Sequence, residues 1–197
     1  MLVVKKIVNG VLESNTYLLY KNGDFISECW LIDIGDFQKV MTNLPEKAII
    51  KGLFITHTHF DHIYGINELI RVFPECNVYT SKYGAEAIYS DKKNFSLYHG
   101  SAIMYSGNMP IILSEGESID LFDDERMYIY ETPGHCPSCL TYIIDNYIFT
   151  GDSYIPNVPV VSKLPLGDKK LANESEIRIK CFARNKIVCA GHGSIVK

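Results

Sequence analysis

Three histidines and one aspartate lie within six consecutive positions of the chain, in the segment HTHFDH at residues 57–62. The segment follows an apolar run at residues 49–56 that predicts a buried strand. Because alternate residues of an extended segment point to the same side, His57 and His59 are placed to bind one ion, with Asp61 on that side. His62 begins the following helix, so one short segment supplies ligands to two neighbouring ions. Imidazole nitrogens and carboxylate oxygens suit zinc, iron or manganese.

The clustering favours metal binding over a polar patch on the surface. The chain has only six histidines, and three of them lie directly after an apolar strand. Metal ligands clustered at such spacing are a strong sequence signal.

Three further polar residues each follow a predicted strand and a glycine. His135 ends the motif TPGH, Asp152 ends TGD, and His192 lies within AGHG. Glycine allows the backbone to turn sharply or to pass close to an ion. Each motif alone is also typical of an ordinary turn with a polar tip. As a set they indicate loops that converge on one site, because loops at one edge of a sheet sandwich can meet.

The motifs HTHFDH, TPGH, TGD and AGHG, in this order, resemble those of the metallo-β-lactamase superfamily, and within it the glyoxalase II branch most. The resemblance covers nearly the whole chain. It implies an α/β fold of the αββα sandwich type, formed by a single domain at residues 1–197, with metals at one edge of the paired sheets. It also implies ligands for a first metal, ligands for a second and one bridging residue: His57, His59 and His135; Asp61, His62 and His192; and Asp152.

The chemistry implied by this resemblance is hydrolysis. Two divalent ions, zinc in the first place with iron or manganese as alternatives, would share a hydroxide that attacks a carbonyl or phosphoryl centre. The carboxylates Asp61 and Asp152 are the predicted catalytic residues, because they partly neutralise the ions and leave them Lewis-acidic. We therefore expect a metallo-hydrolase that cleaves an ester-like bond of a small soluble substrate, first of all a thioester, as a hydroxyacylglutathione hydrolase-like enzyme does.

Other functions remain open from the residues alone. Persulfide dioxygenases resemble this motif set but use a single iron, and phosphodiesterases or nucleases share the implied fold. A β-lactamase is disfavoured, because Asp152 stands where the best-known lactamases have a cysteine and the chain begins without an export signal. A purely binding module would need a saturated metal site. The sequence ends five residues after His192, so we expect no glutathione-binding helical domain. We therefore do not expect the glutathione specificity of the glyoxalase II branch to apply to this chain.

Composition disfavours some classes of binding partner. The 197 residues are 47% hydrophobic and 21% charged with a formal net charge of −4, which disfavours nucleic acid and anionic membranes. No apolar stretch approaches the roughly 20 residues that span a bilayer. The six cysteines are expected to be mostly reduced, with Cys29 and Cys189 in the core. We expect a cytoplasmic protein, and the sequence sets no oligomeric state.

Hydrophobic periodicity predicts strands and helices in both halves of the chain, without a linker between them. We expect one α/β domain whose two halves each carry a sheet. The chain is expected to open with a hairpin, whose turn is at Asn22, Gly23 and Asp24. Strands are predicted at 15–20, 28–34, 49–56, 77–80, 110–113, 127–131, 140–144, 147–150 and 186–190, and helices at 63–73, 82–90 and 174–182.

The polar stretch at residues 92–109, with Tyr98 and Tyr105, is the predicted lid over the metals. The rival interpretation is that this stretch only covers the sheet. His99, within it, is expected at the surface and not as a ligand.

Several other residues invite a functional interpretation without requiring one. Cys136 and Cys139 form a CxxC pair, which we interpret as a turn after His135 in preference to a redox pair. Tyr154 is placed either to donate a hydrogen bond to substrate or simply to pack. Three lysines are expected in a solvated loop: Lys163, Lys169 and Lys170.

Overall fold

Each half of the chain builds one β-sheet, as the sequence predicted. The computed structural model describes residues 1–23, 27–123 and 125–197. The first sheet has the spatial order β1-β2-β3-β4-β5-β6 and the second the order β11-β10-β9-β8-β7. The strands of the first sheet are β1 Leu2–Val8, β2 Asn15–Lys21, β3 Ser27–Ile32, β4 Ala48–Phe54, β5 Asn77–Ser81 and β6 Ile111–Leu113. Those of the second are β7 Ser118–Phe122, β8 Glu125–Glu131, β9 Leu140–Ile144, β10 Tyr147–Gly151 and β11 Ile187–Ala190.

Within residues 1–23, 27–123 and 125–197, five α-helices and one short 3-10 helix lie between strands. The side chain of Asp36 accepts a hydrogen bond at the start of the first helix, and that of Asp168 accepts two at the start of the last. No helix in the described part of the chain has the length and apolar character needed to cross a membrane. The α-helices are α1 Phe37–Asn43, α2 Phe60–Ile63, α3 Ile66–Val72, α4 Lys82–Ala87 and α5 Lys169–Phe182, and the 3-10 helix is Ser96–His99.

The two sheets and the helices form four layers, which is the predicted αββα sandwich. Along β2, Leu18 packs toward the layer of helices α1–α4, while Tyr17 and Leu19 pack between the two sheets. Both faces of the strand are therefore buried, which explains its run of consecutive apolar residues at positions 17–20. On the outer face of the second sheet, Ile148 packs against Ile179 of α5. Each such fully buried apolar side chain contributes about 1.5–3 kcal/mol to stability.

The predicted helix at residues 63–73 is divided in two, and the cause is competition for its backbone groups. The carbonyl of His62 accepts a hydrogen bond from the amide of Ile34, and the carbonyl of Asp61 accepts one from Oγ of Ser14. These carbonyls therefore do not continue the helical ladder. Gly65 lies at the break, where a Cβ atom would overlap a backbone carbonyl of the neighbouring loop.

Several predicted elements need a correction. The chain does not open with the hairpin, because β1 precedes it and pairs antiparallel with β2. Strand β7 and helix α1 were not predicted, and α5 begins five residues before the predicted helix at 174–182. The predicted hairpin of β2 and β3 is present as an antiparallel pair. Of its predicted turn, Asp24 lies outside the described residues.

Strand direction brings the chemistry-bearing residues to one edge of the sandwich. Strands β3 and β4 are parallel, and Asp33 and the segment 57–62 follow their carboxyl ends. In the second sheet β8, β10 and β11 run the same way, because β9 is antiparallel to both β8 and β10, and β10 is parallel to β11. His135, Asp152 and His192 follow these three strands. A backbone hydrogen bond of 2.8 Å from the amide of Leu140 to the carbonyl of Thr56 joins the two sheets there.

Candidate metal centre

The first group of ligand atoms belongs to three histidines. One nitrogen from each of His57, His59 and His135 lies within 4.8 Å of the others. The closest pair is Nε2 of His135 and Nδ1 of His59, at 2.9 Å. All three rings are buried and meet edge to face. The structure thus brings together the three residues that the sequence assigned to a first metal.

The second group lies beside the first and contains a carboxylate. Nε2 of His62 and Nε2 of His192 are each 3.3 Å from Oδ2 of Asp61. The two imidazole nitrogens are 3.3 Å from one another. Three donors therefore face one point, and they are the residues that the sequence assigned to a second metal.

Asp152 lies between the two groups. Its carboxylate oxygens are 3.8 Å from Nε2 of His135, 3.7 Å from Nε2 of His62 and 3.5 Å from Nε2 of His192. A single carboxylate within reach of donors from both groups has the position that a bridging ligand requires. Glycine precedes His192 because a Cβ atom at Gly191 would overlap Oδ1 of Asp152.

Asp33 is a positioning residue that the sequence analysis missed. It is buried, and its Oδ2 lies 2.9 Å from Nδ1 of His62. The amide and the hydroxyl of Thr56 also donate to Asp33, both at 2.7 Å. Since a carboxylate accepts the hydrogen bond, Nδ1 of His62 carries a proton and Nε2 is the ring atom that faces the centre.

The same aspartate sets the tautomer of His57 through Thr56. The hydroxyl hydrogen of Thr56 is committed to Asp33, so Oγ1 accepts from Nδ1 of His57 at 3.1 Å. Nε2 of His57 is then the unprotonated atom that faces the centre. Asp33 therefore orients one histidine in each group of ligands.

Backbone carbonyls orient the two histidines that come from the second sheet. Nδ1 of His135 donates to the carbonyl of Val161 at 2.7 Å, and Nδ1 of His192 donates to the carbonyl of Leu12 at 3.1 Å. A carbonyl cannot donate, so in both rings Nε2 is the free ligand atom. The loop that contains Val161 is thereby tied to the metal centre.

Buried atoms without hydrogen-bond partners indicate that the donor set fits divalent cations. Within the described residues, Nε2 of His57 and Oδ1 of Asp152 are buried without a hydrogen-bond partner. Buried polar atoms without partners are rare in folded proteins and costly, and a metal ion satisfies them. Five imidazoles and two carboxylates are also donors that zinc, iron and manganese accept.

In the protein without metal ions, the carboxylates of the centre favour positively charged neighbours. Burial by itself would lower the pKa of His62, but Asp61 and Asp33 outweigh it and raise the pKa to about 9. Burial is likewise outweighed at His192, where hydrogen bonds to Asp152 and Asp61 raise the pKa to about 10. The carboxylates thus favour cationic neighbours, and divalent cations are the neighbours that would displace these protons.

His57 has the opposite character. Burial, followed by the nearby charge of His62 and His59, holds the pKa of His57 well below its ordinary value. Its imidazole is therefore neutral at neutral pH, which is the form that binds metal ions.

Residues 92–109 divide into two parts. Lys92, Tyr98 and His99 line a cavity together with metal-centre residues, as the predicted lid requires. Tyr105 instead is buried in the core beneath the helices, where its amide donates to the carbonyl of Ile88. His99 is exposed and stacks on Phe60 with ring centroids 3.9 Å apart. The first part borders the centre, and the second part covers the sheet.

The remaining residues named from the sequence are not among the candidate metal ligands. Tyr154 packs against the small core beneath α5, with Lys180 over its ring, and takes no part in the cavity. Cys136 and Cys139 are free thiols with their sulfur atoms 3.3 Å apart. Cys29 and Cys189 are fully buried in the core, as predicted. Lys169 and Lys170 begin α5 and do not lie in the predicted loop, and Lys170 pairs with Glu174 on the surface of this helix.

Comparison with known families gives one match over most of the chain. The family model described as "Metallo-beta-lactamase superfamily" matches residues 10–192. Curated relatives include the hydroxyacylglutathione hydrolase of Blochmanniella pennsylvanica, 27% identical over 174 residues, which are 88% of this chain and 58% of that protein. The enzyme of that name from Aliivibrio fischeri is 32% identical over 154 residues, 78% of this chain and 51% of its own length.

Solved structures share the fold. BLEG-1, described as a B3 metallo-beta-lactamase, superposes with a TM-score of 0.86 at 25% identity, covering 98% of this chain and 93% of its own. TTHA1623, solved in a di-iron-bound form, superposes with a TM-score of 0.79 at 23% identity, covering 98% and 94%. The likeness to TTHA1623 shows the fold alone.

Proposed function

Because the chain belongs to the metallo-β-lactamase superfamily, we propose that it is a hydrolase of ester-like bonds, thioesters first, that works with two divalent metal ions. The observation that carries the proposal is the position of Asp152, whose carboxylate reaches donors of both ligand groups. In this proposal residues 1–197 act as one domain and the substrate is a small molecule.

The residues have distinct roles in the proposed reaction. His57, His59 and His135 would hold one ion, Asp61, His62 and His192 would hold the other, and Asp152 would contact both. When bound, two such ions supply Lewis acidity and a nucleophile derived from water at neutral pH. Asp33, directly and through Thr56, orients His62 and His57 so that Nε2 of each ring faces the centre. A substrate that covers the apolar side chains around the cavity would displace water from it, which strengthens electrostatic interactions within the cavity.

The second group of ligands is complete, with one carboxylate and two imidazoles. This favours two metal ions over the single iron of the dioxygenase alternative. A single-iron site needs only His57, His59 and His135. The second group would then leave a buried carboxylate, Asp61, among imidazoles with no ion to bind. Zinc is the first candidate metal, with iron and manganese as the alternatives.

The substrate is proposed by class only. The chain spans about half the length of the curated relatives it matches. Those relatives are named for hydroxyacylglutathione, so they support a thioester as the first substrate class to test. We do not extend glutathione itself to this chain, and a thioester of any small thiol serves as the probe.

The protein loaded with zinc is expected to hydrolyse a simple acyl thioester of N-acetylcysteamine. Removing metal with a chelator should lower turnover at least about 100-fold, because the ions supply the nucleophile, and adding zinc back should restore it. A free-thiol assay follows the reaction. The same preparation is tested on a lactone, a phosphodiester and a β-lactam. A kcat/KM for one of these far above that for the thioester would contradict the assignment.

A further inference from the structure

Large apolar side chains that are exposed to solvent gather around the metal centre. They line a cavity of about 720 Å³ whose lining also contains His59, Asp61, His135, Asp152 and His192. One part of the lining is an aromatic wall formed by Phe60, Phe95 and Tyr98. Another part is an aliphatic wall formed by Val161, Leu164 and Leu166. A cavity of this size holds a small organic molecule.

The walls remain exposed although burying them would be favourable. Tyr98 is 69% exposed and Leu166 is 61% exposed. Single exposed apolar residues are ordinary, but a contiguous apolar surface bordering a polar centre marks a binding site. Because both walls face the same cavity, the ligand that covers them is a ligand of that cavity.

Local hydrogen bonds hold the aromatic wall in place. Phe95 adopts the left-handed conformation with φ of 65°, and its ring lies 4.9 Å from that of His59. The side chain of Asn94 donates to the carbonyl of Ile103 at 2.7 Å and accepts from the amide of Ser96 at 2.9 Å. The wall is thus preformed, which lowers the entropic cost of ligand binding.

The aliphatic wall is fastened to the metal centre itself. The carbonyl of Val161 accepts the hydrogen bond from His135, and the amide of Gly167 donates to the carbonyl of Leu164. The amide of Asp168 donates to the carbonyl of Gly134, beside His135. An apolar group between the walls therefore lies at a fixed distance from the reacting bond.

The charges around the cavity disfavour a cationic ligand. Among the described residues that line it, the carboxylates are Asp61 and Asp152, which the proposed ions neutralise. Lys92 and Lys93 are the lysines of the lining, and Lys93 is paired with Glu86 at 3.0 Å. The cavity therefore accepts a neutral or anionic molecule.

We propose that the substrate carries an apolar acyl group, a medium-length aliphatic chain or an aromatic ring, which binds between the aromatic and aliphatic walls. This inference rests on the proposed thioester hydrolysis and names its substrate class. A short, hydroxylated acyl group would leave both walls exposed to water. We therefore expect the protein to prefer longer apolar acyl groups over short, hydroxylated ones.

The experiment compares acetyl, butanoyl, hexanoyl and octanoyl thioesters of N-acetylcysteamine on the zinc-loaded protein. We expect kcat/KM to rise about two- to fourfold with each added methylene, the gain from burying that group between the walls. A flat or falling series, with the acetyl thioester still hydrolysed, would overturn the inference while leaving the proposed function intact. Failure to hydrolyse any member would instead contradict the proposed function.

Substitutions in the two walls test whether the acyl-chain preference arises there. Tyr98→Ser and Leu166→Ser should each lower the ratio of octanoyl to acetyl kcat/KM about tenfold. Leu97→Ser is the matched control, because Leu97 is 44% exposed, neighbours Tyr98 and does not line the cavity. An unchanged ratio in both wall variants, or an equal drop in Leu97→Ser, would overturn the inference.

Binding provides a readout that does not depend on turnover. The S-octyl thioether of N-acetylcysteamine has no thioester bond to hydrolyse, and calorimetry should detect its binding to the metal-free protein. The S-methyl thioether should bind at least about 100-fold more weakly, because most of its contact with the walls is missing. Equal affinity for the two thioethers would contradict binding of the apolar group by these walls.

Discussion

Replacing Asp152 by asparagine is expected to cut turnover about 1000-fold or more and to leave the protein unable to hold two metal ions. The substitution keeps the shape of the side chain but removes its charge. Because the carboxylate lies within 3.8 Å of donors from both ligand groups, its loss affects both proposed ions at once. Kinetics with the thioester and elemental analysis of the purified variant measure the two effects.

Asp120→Asn is the control for the Asp152 substitution. Asp120 is also a carboxylate with a close cationic partner, Arg126, but the pair is exposed at the far edge of the second sheet. Exposed ion pairs contribute little to stability, so this variant should match the wild type in metal content and turnover. An Asp152→Asn protein that keeps two metals and near-normal hydrolysis would show that Asp152 does not bridge.

Gly191→Ala is expected to cause a comparable loss through a single added methyl group. The new Cβ atom would overlap Oδ1 of Asp152 and lie 2.9 Å from Cε1 of His62. One of these side chains, or the loop that carries His192, must move. A displacement of about 1 Å at a catalytic centre can cost about 100-fold in rate, and we expect at least that loss here.

Gly10→Ala is the matched control, because its added Cβ would meet only Asp36, at an ordinary contact distance of 3.7 Å. Circular dichroism checks that both variants fold, and equilibrium dialysis with zinc measures metal affinity. Wild-type metal affinity in Gly191→Ala would contradict the close approach of this backbone to Asp152.

That the proposed ligand residues cluster was predictable because their signals are local. The segment 57–62 carries four of them together, and the other three follow strands and glycines. Asp33 was missed because it was included in a predicted strand at residues 28–34. A signal was present, since an aspartate within an apolar run must find a buried partner to offset its desolvation. Its partners, Thr56 and His62, are distant in sequence, and only the fold reveals them.

The elements that sequence patterns did not predict depend on tertiary contacts. Strand β1 alternates weakly, and it is identified by its full register with β2. The division of the helix at Gly65 follows from hydrogen bonds to Ser14 and Ile34, far away in the chain. Periodicity measures only which face is apolar, so it does not report such competition for backbone groups.

The predicted lid shows the same limit. Tyr98 and Tyr105 lie in one polar stretch with little periodicity, and the sequence therefore predicts that both belong to the lid. In the structure Tyr98 lines the cavity, whereas Tyr105 is buried in the core under the helices. The aliphatic wall at Val161, Leu164 and Leu166 was not predicted, because exposed apolar residues in a loop are ordinary until the fold gathers them.

Anomalous diffraction from crystals grown with zinc tests the two-metal assignment directly. We expect two anomalous peaks about 3.5 Å apart. One should lie among His57, His59 and His135, the other among Asp61, His62 and His192, with Asp152 in contact with both. A single peak among the three histidines, or peaks away from these side chains, would contradict the two-metal centre.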